Sequence, residues 1–147
     1  NLPYPMRAVR TPDHPYIKNF KPERWPMGNP YDAAELTDSN ALYEMGLSTM
    51  PSYRDLDGSL TKAWMMSQRG SPHDKELFSL TMDPRPSEEL YDLKNDPDQL
   101  VNLAANSQHA SILNVLRGRV EEVMNDTNDP RLKDAFDQLP WVDSTKP

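Results

Sequence analysis

Met6-Arg7-Ala8-Val9-Arg10-Thr11 and Tyr16-Ile17-Lys18-Asn19-Phe20, separated by Pro12-Asp13-His14-Pro15, form the stretch that decides the fold. Each run is short and extended, and Pro and Asp between them set a turn, so the segment reads as a β-hairpin. Side chains alternate across a strand, which puts Met6 and Ala8 on one face and Arg7 and Val9 on the other. The clearest helix lies between Ser107 and Asp126, where Ile112, Leu116, Val120 and Val123, flanked by Leu113 and Met124, recur at helical spacing. Glu88-Glu89-Leu90-Tyr91-Asp92-Leu93 reads as a further strand with Tyr91 and Leu93 on one face, ended by the turn Asn95-Asp96-Pro97-Asp98. These elements are a hairpin, a further strand and one long amphipathic helix, whose apolar stripe faces a sheet or a core.

Between hairpin and strand the chain changes character. Pro22, Pro26, Gly28 and Pro30 exclude a helix and deny a central strand its donors. The Pro-rich loop also carries Trp25, Met27 and Tyr31, residue types of a loop packed against something. Short helices follow over Asp38–Met45, ending at Gly46, over Leu60–Gln68, closed by Gly70, and over Pro72–Met82. After the helix stop at Asn125 to Pro130 the tail is polar, with Leu139, Pro140 and Trp141 as its only anchor. No internal repeat is visible.

Composition narrows the function. In 147 residues the formal charge is -7, which repels an extended polyanion, so no nucleic-acid partner is expected. Leu, Ile, Val and Phe make up about 18% of the chain, a thin supply of core formers for a folded protein. Dependence on a neighbouring domain is the expected remedy. Cys is 0, which removes disulfides, thiolate metal sites and cysteine nucleophiles. No apolar run approaches the roughly 18 residues that span a bilayer. The chain opens at Asn1 with no signal peptide, and is expected to continue from something longer.

Chemical motifs are sparse. Asp55-Leu56-Asp57-Gly58 and Asn125-Asp126-Thr127-Asn128-Asp129 bring oxygen ligands together, but neither has the spacing or distal Glu of a calcium loop, and both suit turns. His14, His73 and His109 have no histidine partner three or four residues away. His73-Asp74 with Glu76 is a charged first helical turn. No Gly-x-Ser-x-Gly elbow and no Gly-rich phosphate loop occurs.

Glu88-Glu89-Leu90-Tyr91-Asp92-Leu93-Lys94-Asn95-Asp96-Pro97 followed by Asn102-Leu103-Ala104 resembles the signature near the C-terminus of sulfatases of the alkaline-phosphatase superfamily. The paired runs Met6–Thr11 and Tyr16–Phe20 resemble the strands that begin the same region. Lys21-Pro22-Glu23-Arg24-Trp25-Pro26 and Gly58-Ser59-Leu60-Thr61-Lys62 are similar to segments of bacterial heparan N-sulfatase-like (N-sulfoglucosamine sulfohydrolase-like) members, and Ile112–Met124 with Asn128-Asp129-Pro130 to the helix and its ending. The resemblance covers nearly the whole chain in the right order. It implies that residues 1–147 are one α+β C-terminal subdomain, a small antiparallel sheet of about four strands packed against one long C-terminal amphipathic helix, with additional short helices and a Pro-rich loop.

It also implies a parent hydrolase that cleaves sulfate esters or sulfamates of sulfated sugars, in the periplasm or secreted. The calcium and the formylglycine belong to an N-terminal catalytic domain of the same polypeptide, the implied partner, so this chain is expected to carry no cofactor and no activity of its own. Thr49-Met50-Pro51-Ser52-Tyr53-Arg54 departs from the formylglycine segment by a Thr at the nucleophile position and an Arg one residue late, and is read as chance. A sulfated sugar is anionic and polyhydroxylated; its reader needs a cation, a carboxylate and an aromatic face. Arg24, Glu23 and Trp25 supply that set, unless Glu23 and Arg24 pair with each other or with the catalytic domain. Lys62 and His14 are second-tier candidates. The alternative from another class is a stand-alone carbohydrate-binding or protein-interaction module.

Overall fold

The computed structural model describes residues Tyr4–Lys133, so the proposed anchor Leu139, Pro140 and Trp141 lies outside the described residues. The chain divides into two compact units: one is built from Glu23–Arg85, the other from Pro5–Pro22 with the chain from Pro86 onward. Each unit has its own apolar core.

The second unit holds the sheet. Strands β1 (Met6–Arg10) and β2 (Pro15–Asn19) pair antiparallel with Val9 opposite Tyr16 and Arg7 opposite Lys18. Strand β3 (Glu88–Leu90) joins β2 on its other side, Tyr16 opposite Leu90 and Lys18 opposite Glu88. Period-two alternation puts Arg7, Val9, Tyr16, Lys18, Glu88 and Leu90 on one face. Helix α4 (Ala110–Asp126), entered through a 3-10 turn at Ser107–His109, covers it with Leu113, Leu116, Val120 and Met124. Val123, expected on that stripe, is 44% exposed, because the spacing 116, 120, 124 turns it off the seam.

Charge fixes helix to sheet as well. Glu88 accepts two hydrogen bonds from Arg117 of α4, both 2.7 Å, and one from the Tyr16 hydroxyl at 2.5 Å. Lys18 reaches Glu121 at 3.1 Å, and Arg7 makes a two-pronged pair with Asp129 at 2.6 and 2.9 Å.

The expected fourth strand is not among the described residues; the sheet has three. At the outer edge of β3 the side chain of Asn102 does what a neighbouring strand would do. Its Oδ1 accepts from the Leu90 N–H at 2.9 Å and its Nδ2 donates to the Glu88 carbonyl at 3.0 Å, while the Leu103 N–H donates to the Leu90 carbonyl at 2.8 Å. β3 is also shorter than expected. Beyond Leu90, the Tyr91 N–H bonds the carbonyl of Pro15 at the start of β2 and the Leu93 N–H that of Asp13 in the hairpin turn, and the Asp92 side chain caps the following turn.

The first unit is helical. Helix α1 (Ser39–Gly46) starts where Asp38 accepts the Ala41 N–H at 2.7 Å; α2 (Leu60–Ser67) starts where Ser59 accepts the Lys62 N–H at 3.1 Å. Helix α3 (Lys75–Met82) begins three residues later than expected, because Ser71 Oγ gathers the His73 and Asp74 N–H groups into a turn first. Leu42, Tyr53, Met66, Phe78 and Met82 form the core. Gly46 does not stop α1 by a left-handed cap. It lies inside the helix, where a Cβ would stand 2.4 Å from the Ala63 Cα, so its small size is what lets α1 and α2 touch.

Candidate functional site

The Pro-rich loop holds its shape by closing onto the segment between α1 and α2. Gly28 adopts φ +86°, and a Cβ there would lie 2.9 Å from the Arg54 nitrogen. Only glycine permits both the conformation and the approach. Around it the Tyr53 N–H bonds the Asn29 carbonyl at 2.8 Å and the Asp55 N–H bonds the Met27 carbonyl at 3.2 Å. Buried Ser52 donates to the Pro30 carbonyl and accepts the Ala33 N–H at 3.1 Å.

Aromatic packing follows from that closure. Trp25 meets Tyr53 edge-on with ring centroids 6.2 Å apart, and Tyr53 meets Phe78 in the same way at 6.2 Å. Tyr53 is buried, and its hydroxyl has no hydrogen-bond partner among the described residues. Burial pushes that hydroxyl up to about 12. The next residue, Arg54, is exposed. Its guanidinium sits over the Tyr31 ring, 4.8 Å from the centroid, and its Nε donates to the Met50 carbonyl at 2.7 Å. The Nε–Met50 bond does not use Nη1 and Nη2, and the exposed guanidinium is a group whose paired N–H donors suit sulfate or carboxylate.

The sequence candidates divide between the two units. Glu23, Arg24, Trp25 and Lys62 belong to the first, His14 to the second. Glu23 is exposed, Arg24 half-buried and engaged within the chain, and Trp25 half-buried against Tyr53.

Lys62 is 3% exposed, and its Nζ donates to the carbonyls of Ser52 at 2.6 Å, Ser48 at 3.1 Å, Leu56 at 3.1 Å and Thr49 at 3.3 Å. An ammonium has three N–H donors, so four carbonyls use all of them and leave none for a ligand. Burial pulls its pKa below the ordinary lysine range, against the opposing Asp57 carboxylate. His14 is a hairpin-turn residue: its carbonyl accepts from the Thr11 N–H and hydroxyl, both at 3.0 Å, and its own N–H bonds the Thr11 hydroxyl at 2.9 Å. Nearby Asp92 is held below the usual carboxylate range first by the Asn95 side chain and only weakly by His14.

Arg54 and Tyr31 are the residues that sequence reasoning missed. Arg54 lies in the Thr49–Arg54 segment, whose one legible feature was its imperfect match to a formylglycine motif. Among the described residues no three His, Asp or Glu side chains gather as a metal site. No helix of the described chain is long and apolar enough to cross a membrane. Comparison with protein-family models, curated proteins and solved structures returns no match.

Proposed function

We propose that this chain is the C-terminal part of a sulfatase that hydrolyses sulfate esters or N-sulfamates of sulfated sugars, most similar to bacterial heparan N-sulfatase-like enzymes. One observation carries the reading. Three of the segments that carry the resemblance, Met6–Thr11, Tyr16–Phe20 and Glu88–Leu93, supply the three consecutive strands of one antiparallel sheet, and the helix in the same resemblance packs on its face. Asn102 of the same signature closes the sheet edge, which gives that residue a physical reason to be there.

In this reading the chain supports the catalytic domain, and its Pro-rich loop contributes to choosing the substrate. The formylglycine and calcium of the N-terminal domain supply the chemistry. Arg54 stacked on Tyr31 contributes a cationic fork for a sulfate or carboxylate, Glu23 an acceptor for sugar hydroxyls, and Trp25 and Tyr31 the apolar surface. Arg24 joins them as a secondary cation. Periplasmic or secreted localisation belongs to the same proposal.

The test is turnover of O-sulfated and N-sulfated sugars by the full-length parent, matured by a formylglycine-generating enzyme, beside this chain alone. Activity in the parent and none in the chain is the expected result. A parent with no preceding catalytic domain, or an inert one, refutes the reading and leaves the stand-alone module. Within an active parent, Arg54→Ala raises KM by about tenfold, the effect of one charge-assisted contact.

A further inference from the structure

The thirteen-residue connection between α1 and α2 has no regular structure, yet four of its carbonyls converge on one nitrogen. Ser48, Thr49, Ser52 and Leu56 offer their oxygens to Lys62 Nζ at 3.1, 3.3, 2.6 and 3.1 Å. None of the four accepts a backbone N–H among the described residues. Among the described residues the ammonium is the donor that reaches all four. All four are neutral, which suits a monovalent cation and not a divalent one, since a divalent ion calls for carboxylates. Two further bonds brace the same turn, Gly58 N–H to Thr49 Oγ1 at 2.8 Å and Arg54 Nε to the Met50 carbonyl at 2.7 Å.

The geometry points to a built-in cation receptor: the carbonyls of Ser48, Thr49, Ser52 and Leu56 form a site for one primary-ammonium ion, the chain fills it with Lys62, and filling it holds the turn that presents Arg54. Lysine is thus the tethered ligand of its own loop. The connection folds around the charge because Lys62 and the Ser52 carbonyl are buried, where each without the other would be left unpaired. Nothing in this inference depends on the sulfatase reading, and it stands or falls separately.

Lys62→Ala deletes the equivalent of one propylammonium ion, so the vacated site has a soluble complement of matched length and charge. The variant is expected to melt lower by roughly 10 °C or more. Propylammonium chloride restores at least half of that loss saturably, whereas sodium chloride at equal ionic strength and 1-propanol, which matches the shape without the charge, do not. The inference is overturned if Lys62→Ala melts with the wild type, if propylammonium fails to rescue at saturation, or if 1-propanol rescues equally well. Should Lys62→Ala not fold, the wild-type chain decides by nitrogen-resolved NMR of the lysine ammonium groups. A caged Lys62 gives a slowly exchanging signal that exposed Lys75 and Lys94 lack, and absence of that signal overturns the receptor.

Discussion

The same substitution at two helical glycines should act with opposite sign. Gly46 lies in α1 and Gly118 in α4, and in an exposed helix glycine-to-alanine gains about 0.5–1 kcal/mol by removing backbone freedom from the unfolded chain. At Gly118 nothing lies within 4 Å of the added methyl, so the full gain is expected. At Gly46 the new Cβ would stand 2.4 Å from the Ala63 Cα, 2.8 Å from its nitrogen and 3.1 Å from the Lys62 carbonyl carbon. Carbon atoms rest at about 3.5–4.0 Å, so α1 and α2 must part by about 1 Å at their closest point. The obstructing atoms are backbone and cannot rotate aside. Overpacking of this kind costs about 1–3 kcal/mol, and the upper end applies here, so after the propensity gain the net loss is about 2 kcal/mol.

For units of this size that corresponds to a fall in melting temperature of about 8–16 °C for Gly46→Ala and a rise of a few degrees for Gly118→Ala. Urea titration followed by tryptophan fluorescence reads the first unit through Trp25 and Trp64. Amide hydrogen exchange of α4 reads the second. A Gly46→Ala chain as stable as the wild type, or a Gly118→Ala chain that loses stability, would refute the packing argument.

Three further outcomes follow from buried polar groups and from the core. Tyr53→Phe is expected to leave stability unchanged or raise it, because the hydroxyl it removes is buried without a partner while the ring contacts to Trp25 and Phe78 remain; a loss above about 1 kcal/mol in urea melts would mean that the hydroxyl is satisfied. Arg117 hydrogen bonds, opposed by burial and reinforced by Tyr16, hold Glu88 below the usual carboxylate range. Its contribution is therefore present above the unfolded-state pKa and is lost as pH falls through the lower folded one. Melting temperature against pH should show an acid limb that Glu88→Gln flattens, with the variant less stable at neutral pH. Leu116→Ala opens a hole between α4 and the sheet and should cost about 2–5 kcal/mol, measured by the exchange of α4 and β2 amides; protection unchanged there would remove Leu116 from the core.

Much of the second unit was legible because its signals are local. Pro12-Asp13 between two alternating runs sets the hairpin, and the repeat of apolar residues at three and four sets α4. Each needs only neighbours in sequence. The count of strands was not legible, since the role of Asn102 as a surrogate strand depends on where its amide lies relative to β3. Val123 shows the same limit: periodicity marks a stripe about a third of the helix wide, and only the sheet beneath α4 selects its centre.

The candidate site divides along the same line. Residue type, read in the light of the resemblance, singled out Trp25, Arg24 and Glu23 as candidates, and tertiary structure added Arg54 and Tyr31, because a cation lies over a ring only after two distant loops have closed on Gly28. Lys62 is the sharpest case. In sequence it is a cation one helical turn past a cap, free to point anywhere; in the fold four carbonyls from residues 48–56 surround it. Local chemistry, the turn, the cap, the period and the net charge, was determined by the sequence itself, since those forces act over a few residues. The tertiary structure alone decided which charge is buried, which glycine is a contact and which edge is closed. Those outcomes are set by atoms that burial brings together from far apart in the chain.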